Sequence, residues 1–196
     1  MKRKDVFLYK LVRPIATVLF KLVYRPTIIG NNKIPKKGKI ILAGNHTSIL
    51  DCVLLMSSTK RNIHYLAKKE LFCGFKKIFF SNMGLIPVDR SIHDKNVLPM
   101  AKEYLDNGCV VGIFPEGTTE KGLKRLLPFK TGAVRLSNDS KTKIIPFKIV
   151  GDYKPFKKSI TLIFGDEFIA TKNIESSNKK LYDIIDSMEA SKLWIF

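Results

Sequence analysis

Six short runs dominated by Ile, Val and Leu constrain this fold more than any other feature. They fall at 39–43, 63–66, 84–88, 109–114, 143–150 and 160–164. Runs that are apolar at nearly every position, rather than at alternate ones, suit strands buried on both faces of a sheet. Stretches of helical periodicity at 49–58, 71–80, 95–106, 131–137 and 174–193 lie between or after them. Strands alternating with helices predict an α/β fold: a single domain with a mostly parallel or mixed central sheet flanked by helices. With 196 residues, 45% of them hydrophobic and 13 of them Phe, the chain can bury such a core and is not a disordered one. No repeat, low-complexity tract or linker divides it. Residues 26–196 therefore read as one α/β domain, preceded by an N-terminal segment, 1–25.

That segment is basic and amphipathic. Val6, Phe7, Leu8, Leu11, Ile15, Val18, Leu19 and Leu22 recur at helical spacing, interleaved with Lys10, Arg13, Lys21 and Arg25. Its longest charge-free stretch, 14–20, has seven residues, whereas a membrane span needs about 20 apolar ones. No transmembrane helix is expected, and no small-residue cleavage site marks a secretory leader. Pro14 is expected to bend or split the helix. Two roles remain open: an interfacial helix lying among lipid headgroups, or a helix packed on the domain's own core with its lysines snorkelling to water. The interfacial role is the one carried forward.

Charge and cysteine content narrow the partners. There are 35 Lys+Arg against 17 Asp+Glu, a formal net charge of +18. Such an excess suits nucleic acid, a phospholipid surface, or an acidic protein or substrate, and it also suits solvated lysines spread over the surface. No helix–turn–helix, zinc-finger or RNP-type pattern supports nucleic acid, which is therefore not an expected partner. The three cysteines, Cys52, Cys73 and Cys109, are odd in number and have no CxxC or nearby His at ligand spacing. A disulfide framework and a metal site are both unexpected.

Chemistry is expected where strands end, because open α/β sheets gather reactive groups at their carboxyl edge. Gly44-Asn45-His46-Thr47-Ser48-Ile49-Leu50-Asp51 follows a buried run, and Ser48 with Asp51 has the form of a capping box that would start a helix at Ser48. Across such a corner Asp51 can reach His46, fixing one imidazole nitrogen and leaving the other to take a proton from a hydroxyl. A buried histidine beside a capping aspartate would look the same. Phe114-Pro115-Glu116-Gly117-Thr118-Thr119 ends a second run, and places a carboxylate beside backbone N–H groups and two hydroxyls. Asp89-Arg90 ends a third, where an arginine fork suits phosphate or a surface ion pair. In Ile144-Ile145-Pro146-Phe147 a proline interrupts an apolar strand, which demands an edge, a bulge or a special site.

In that order and spacing, NHTSILD, GLIPVDR, FPEGTT and IIPFKIVG resemble the four blocks of the glycerolipid acyltransferase family. Its type members are 1-acylglycerol-3-phosphate (lysophosphatidate) acyltransferases, and the resemblance covers roughly residues 28–165. It implies that His46 is the general base and Asp51 its orienting carboxylate, and that the acceptor hydroxyl attacks a fatty-acyl thioester directly, without an acyl-enzyme. Asn45, Glu116, Gly117 and Thr118 would shape the acceptor site, Arg90 would grip its phosphate, and Pro146 would lie on the acyl-donor side. No metal or bound cofactor is implied. Acyl-coenzyme A or acyl-acyl-carrier-protein would enter as co-substrate, with acyl carrier protein a partner in the second case. The product would be phosphatidate, made at the cytoplasmic face of a membrane by a peripheral or monotopic protein. Glycerol-3-phosphate or another lysophospholipid is the alternative acceptor, and a silent lipid-binding protein is a further alternative.

One departure stands out: family members often carry Arg where this chain has Thr119, and Lys121, Lys124, Arg125 or Lys130 could take its place. Phe72, Phe75, Phe79 and Phe80, beside Lys76-Lys77, suit a membrane surface or core packing. His64 and His93 lie outside the blocks and are expected to be structural or exposed.

Overall fold

The computed structural model describes residues 6–74, 76–89, 96–119 and 126–188; Arg90, His93, Lys121, Lys124 and Arg125 lie outside this set, as does Phe75. Seven strands form one sheet: β1 (Thr27–Ile29), β2 (Ile40–Gly44), β3 (Ile63–Lys68), β4 (Ile86–Val88), β5 (Val110–Ile113), β6 (Ile144–Gly151) and β7 (Ile160–Phe164). Their spatial order is β1-β7-β6-β2-β5-β3-β4. Every neighbouring pair is parallel except β6 with β7. The sheet is thus mixed and mostly parallel, and its six strands β2 to β7 are those expected from the sequence. Strand β1 was not foreseen, because three half-buried residues carry no periodicity to detect.

The helices cover both faces. They are α1 (Phe7–Tyr24), α2 (Asp51–Ser58), α3 (Lys76–Asn82), α4 (Val97–Asp106), α5 (Gly132–Ser140) and α6 (Ile174–Ser187). The period of two along β2 divides the core cleanly. Ile40 and Leu42 pack with Phe20 of α1 and Leu54 and Leu55 of α2. Ile41 and Ala43 point the other way, toward Ala101 and Leu105 of α4, Ala133 and Val134 of α5, and Leu181 and Ile185 of α6. This is why β2 is buried at all five positions.

Several local expectations are corrected. The helix predicted over 71–80 is broken into a 3-10 turn, Lys69–Phe72, and α3, because Gly74 adopts φ +55° between them. Helix α1 runs on through Pro14, so the proline does not divide it. Helix α2 starts at Asp51 rather than Ser48, and the Ser48 hydroxyl accepts from the N–H of Leu50.

Pro146 lies in an interior strand, and a bulge accommodates it there. Ile144 bridges Phe168, whereas Phe147 pairs with Phe164, so three steps along β6 face four on the partner chain. In a strand, a residue's N–H and C=O face the same neighbour. The Pro146 carbonyl accepts from Gly165 at 2.8 Å, so its missing donor falls opposite the bulge.

Helix α1 is packed on the domain by one face and open on the other. Tyr9 and Phe20 are buried, and the Tyr9 hydroxyl receives the N–H of Ile63. Phe7, Leu11, Ile15, Val18, Leu19 and Leu22 form an exposed stripe on the opposite side, each more than half accessible. Among the described residues no helix is long and apolar enough to cross a membrane.

Candidate active site

Strands β2, β5 and β6 are adjacent and parallel, so their carboxyl ends open onto one edge. Close packing at that edge depends on Gly44, since a Cβ there would lie 2.2 Å from the carbonyl oxygen of Phe147. Beyond Gly44 the buried Asn45 continues the ladder with its side chain, donating to the Ile149 carbonyl at 2.9 Å and accepting its N–H at 2.7 Å. Asn45, expected on the acceptor, is thus held to the backbone of β6, and its fixed position sets the path of the next residue.

That residue is His46. Its Nδ1 lies 2.8 Å from Oδ2 of Asp51, whose side chain is fully buried. The carboxylate folds back from the first turn of α2 and accepts the N–H groups of Thr47, at 2.6 Å, and Ser48, at 2.9 Å. Its other oxygen accepts the hydroxyls of Thr47, at 3.2 Å, and Tyr153. All of these neighbours donate, so Asp51 is an acceptor-only anion and Nδ1 of His46 carries the proton facing it. Nε2 is left with its lone pair and no hydrogen-bond partner among the described residues. The imidazole lies on the ring of Phe114, centroids 4.0 Å apart and planes 17° from parallel.

Glu116 is buried, and its carboxylate receives the backbone N–H of His46 at 3.1 Å and that of Leu127 at 3.4 Å. It therefore ties the β5 loop to the β2 loop. Gly117 turns with φ +71° and has the Lys130 side chain against it, since a Cβ there would meet Nζ at 2.9 Å. The backbone N–H of Lys130 is held by the Pro115 carbonyl at 2.9 Å. Lys130 is thus the one described residue of the four cations weighed as substitutes at Thr119, and its ammonium comes to this loop. Thr118 is exposed beside it. Pro146 is buried in β6, and Arg90 lies outside the described residues.

The remaining candidates make no hydrogen bond to the His46–Asp51 pair among the described residues. Burial, helped by the neighbouring Asp51 charge, pushes the Cys52 thiol up to about 12, which keeps it protonated and non-nucleophilic. His64 is buried, with Nδ1 against the Gly84 carbonyl at 2.7 Å and its ring on Tyr104. Phe79 is exposed, with its ring against that of half-buried Phe80. A cavity of about 350 Å³ lies at the opposite edge of the sheet, lined by Lys36, Lys60, Arg61, His64, Tyr104 and Val110. It is separate from His46 and belongs to the amino ends of the strands. Among the described residues, no three His, Cys, Asp or Glu cluster as a metal site.

Three residues here were missed by sequence reasoning. Thr47 and Phe114 sit inside or beside the blocks already singled out, and the alternation along the strand end could have pointed to Phe114. Tyr153 follows β6, 102 residues from Asp51, and nothing in its local sequence marks it.

Comparison with known proteins gives the family and the fold. Residues 25–150 match the family model described as acyltransferase. The 1-acyl-sn-glycerol-3-phosphate acyltransferase of Helicobacter pylori is 36% identical over 127 residues, covering 61% of this chain and 52% of that protein. The chain thus spans about half the length of this relative. The Bacillus subtilis protein of the same name is 28% identical over 165 residues, 81% of each chain. The crystal structure of the 1-acyl-sn-glycerophosphate (LPA) acyltransferase of Thermotoga maritima superposes with a TM-score of 0.74 over 95% of this chain and 81% of the other, at 19% identity.

Proposed function

Because the chain belongs to the acyltransferase family, we propose that it acylates the free hydroxyl of 1-acyl-glycerol-3-phosphate to give phosphatidate, drawing on a fatty-acyl thioester of coenzyme A or acyl carrier protein. The observation that carries the chemistry is the His46–Asp51 contact at 2.8 Å, with Nε2 unpartnered among the described residues. In this mechanism Nε2 takes the proton of the acceptor hydroxyl as its oxygen attacks the thioester carbonyl. The buried Asp51 carboxylate stabilises the imidazolium that forms. Collapse of the tetrahedral intermediate expels the thiolate, which recovers the proton from His46. No covalent enzyme intermediate is needed, in keeping with the protonated, partly buried Cys52.

The loop 116–118, with Lys130 over Gly117, supports an acceptor site for a phosphorylated glycerol, a cation beside backbone N–H groups being suited to a phosphate. The exposed stripe of α1 supports a protein that works on a lipid surface, its apolar side in the acyl boundary and Lys10 and Lys21 among the headgroups. A segment of this kind would hold the domain at the membrane without crossing it.

The test is acceptor-dependent thiol release from acyl-coenzyme A or acyl-acyl-carrier-protein, with detergent-dispersed lysophosphatidate, for wild type beside His46→Ala. Release by the wild type that is lost in the variant supports both the reaction and the base. Near-normal turnover in His46→Ala would falsify the base assignment. Release only with glycerol-3-phosphate or another lysophospholipid would replace the acceptor and leave the chemistry standing.

A further inference from the structure

Tyr153 joins two parts of the molecule that are remote in sequence. Its hydroxyl donates to Oδ1 of Asp51, while Oδ2 of the same carboxylate faces His46. Its ring packs edge-on against two aromatic residues of α1, Tyr24 at 5.6 Å and Phe20 at 6.1 Å, which themselves lie 5.0 Å apart. The loop that carries Tyr153 is pinned to the same helix, because the N–H of Phe156 is received by the Val23 carbonyl at 2.5 Å. Burial, with the Asp51 charge and hydrogen bond, pushes the Tyr153 phenol far up, so it remains a donor.

The hydrogen-bond pattern gives Tyr153 a specific task. Oδ2 of Asp51 is fixed by two backbone N–H groups as well as by His46. Among the described residues, Oδ1 has only the Thr47 hydroxyl, at 3.2 Å, besides Tyr153. Without the phenol, one oxygen is weakly held, and the carboxylate can pivot about its Cβ–Cγ bond. A pivot changes the direction of the Oδ2 lone pair that aims the imidazole.

We infer that Tyr153 is a positioning residue for the general-base dyad and the link through which the seating of α1 on the domain sets the aim of His46. This rests on the dyad reading above. Helix α1 carries the exposed apolar stripe on one face and Phe20 on the other, so an event that reseats the helix displaces the Phe20–Tyr24–Tyr153 ring cluster. The tilt of the Tyr153 ring carries its hydroxyl with it, and the second oxygen of Asp51 gains or loses its donor. The apolar surface of the helix and the proton-accepting nitrogen are in this way connected by three rings and two hydrogen bonds.

A double-variant cycle on the full chain tests the inference, using the thiol-release assay with mixed micelles of lysophosphatidate. Tyr153→Phe keeps the ring and removes only the hydroxyl. It is expected to lower kcat about tenfold or more while leaving KM for donor and acceptor within about twofold. Tyr24→Leu keeps the hydroxyl and loosens its support, and is expected to lower kcat in the same manner. In the double variant the two losses should not multiply, because both act through one contact. Wild-type kcat in Tyr153→Phe would overturn the positioning role, since packing alone is unchanged by that substitution. Losses that multiply in the double variant would overturn the coupling to α1. Activity in His46→Ala, run in the same assay, would instead overturn the dyad reading beneath it. If Tyr153→Phe does not fold, Tyr24→Leu with unchanged kcat still overturns the coupling.

Discussion

The imidazole of His46 lies flat on the ring of Phe114, 4.0 Å from it, while Tyr65 stacks in parallel at 6.1 Å from Phe114 and Phe147 meets it at right angles. Asp51 fixes one point of the imidazole, and a single hydrogen bond leaves the ring free to rock about it. The Phe114 face removes that freedom. Phe114→Leu retains apolar volume and loses the flat support, so kcat is expected to fall about three- to tenfold with little change in KM. Steady-state kinetics on the folded variant check this.

Asp51→Asn makes a different demand. The carboxamide brings a donor into a pocket where two N–H groups and two hydroxyls already donate. We expect kcat to fall by orders of magnitude through loss of tautomer control, and stability to fall by about 1–3 kcal/mol from buried groups left unpaired. Thiol release and a denaturant melt separate the two effects.

At the sheet edge, Gly44→Ala is expected to destabilise the fold without touching a reacting group. The added Cβ would meet Phe147 backbone and ring at 2.2–2.4 Å, and both belong to the core. A loss of about 1–3 kcal/mol or more is expected from overpacking. A midpoint shift in urea at unchanged slope is the measure.

On α1, Leu11→Glu with Val18→Glu changes two exposed stripe residues. Co-sedimentation with anionic vesicles should fall, while stability changes by no more than about 0.5 kcal/mol per site. Equal binding by variant and wild type would sink the membrane-surface role of the stripe.

Alkaline pH supplies a further check. Burial pushes the Tyr9 hydroxyl from 10.0 to about 12 and the Cys52 thiol from 9.0 to about 12. The unfolded chain gives up these protons first, so between pH 9 and about 12 the folded state binds more of them. Stability contributed by the two neutral groups is complete below pH 9 and declines as pH rises through that window. Tyr9→Phe combined with Cys52→Ala should flatten the decline, and denaturant melts at pH 8 and 10.5 would show it.

The fold was legible where a run was long enough to show a period. The strands from β2 to β7 are buried on one or both faces, and their composition shows it, whereas β1 is three residues whose place depends on pairing with β7. The break between the 3-10 turn and α3 was missed because the aromatic period of Phe72, Phe79 and Phe80 outweighed a single Gly74. In the site, His46 and Asp51 are five residues apart, and Glu116 ends a recognisable strand. The roles of Asn45 and Tyr153 depend on neighbours 104 and 102 residues away. Contacts of that range leave no local trace, and only the sheet order brings them together.

That range has a consequence for synthesis on the ribosome. His46 and Asp51 emerge almost together, but Glu116 follows 70 residues later, and Ile149 and Tyr153 later still. A nascent chain that has made β2 and α2 carries both members of the dyad with neither the floor nor the clamp that aligns them. The amphipathic helix emerges before all of them. The growing chain therefore exposes the apolar stripe of α1 before the His46–Asp51 corner is assembled, and that corner is complete only when β6 closes against β2.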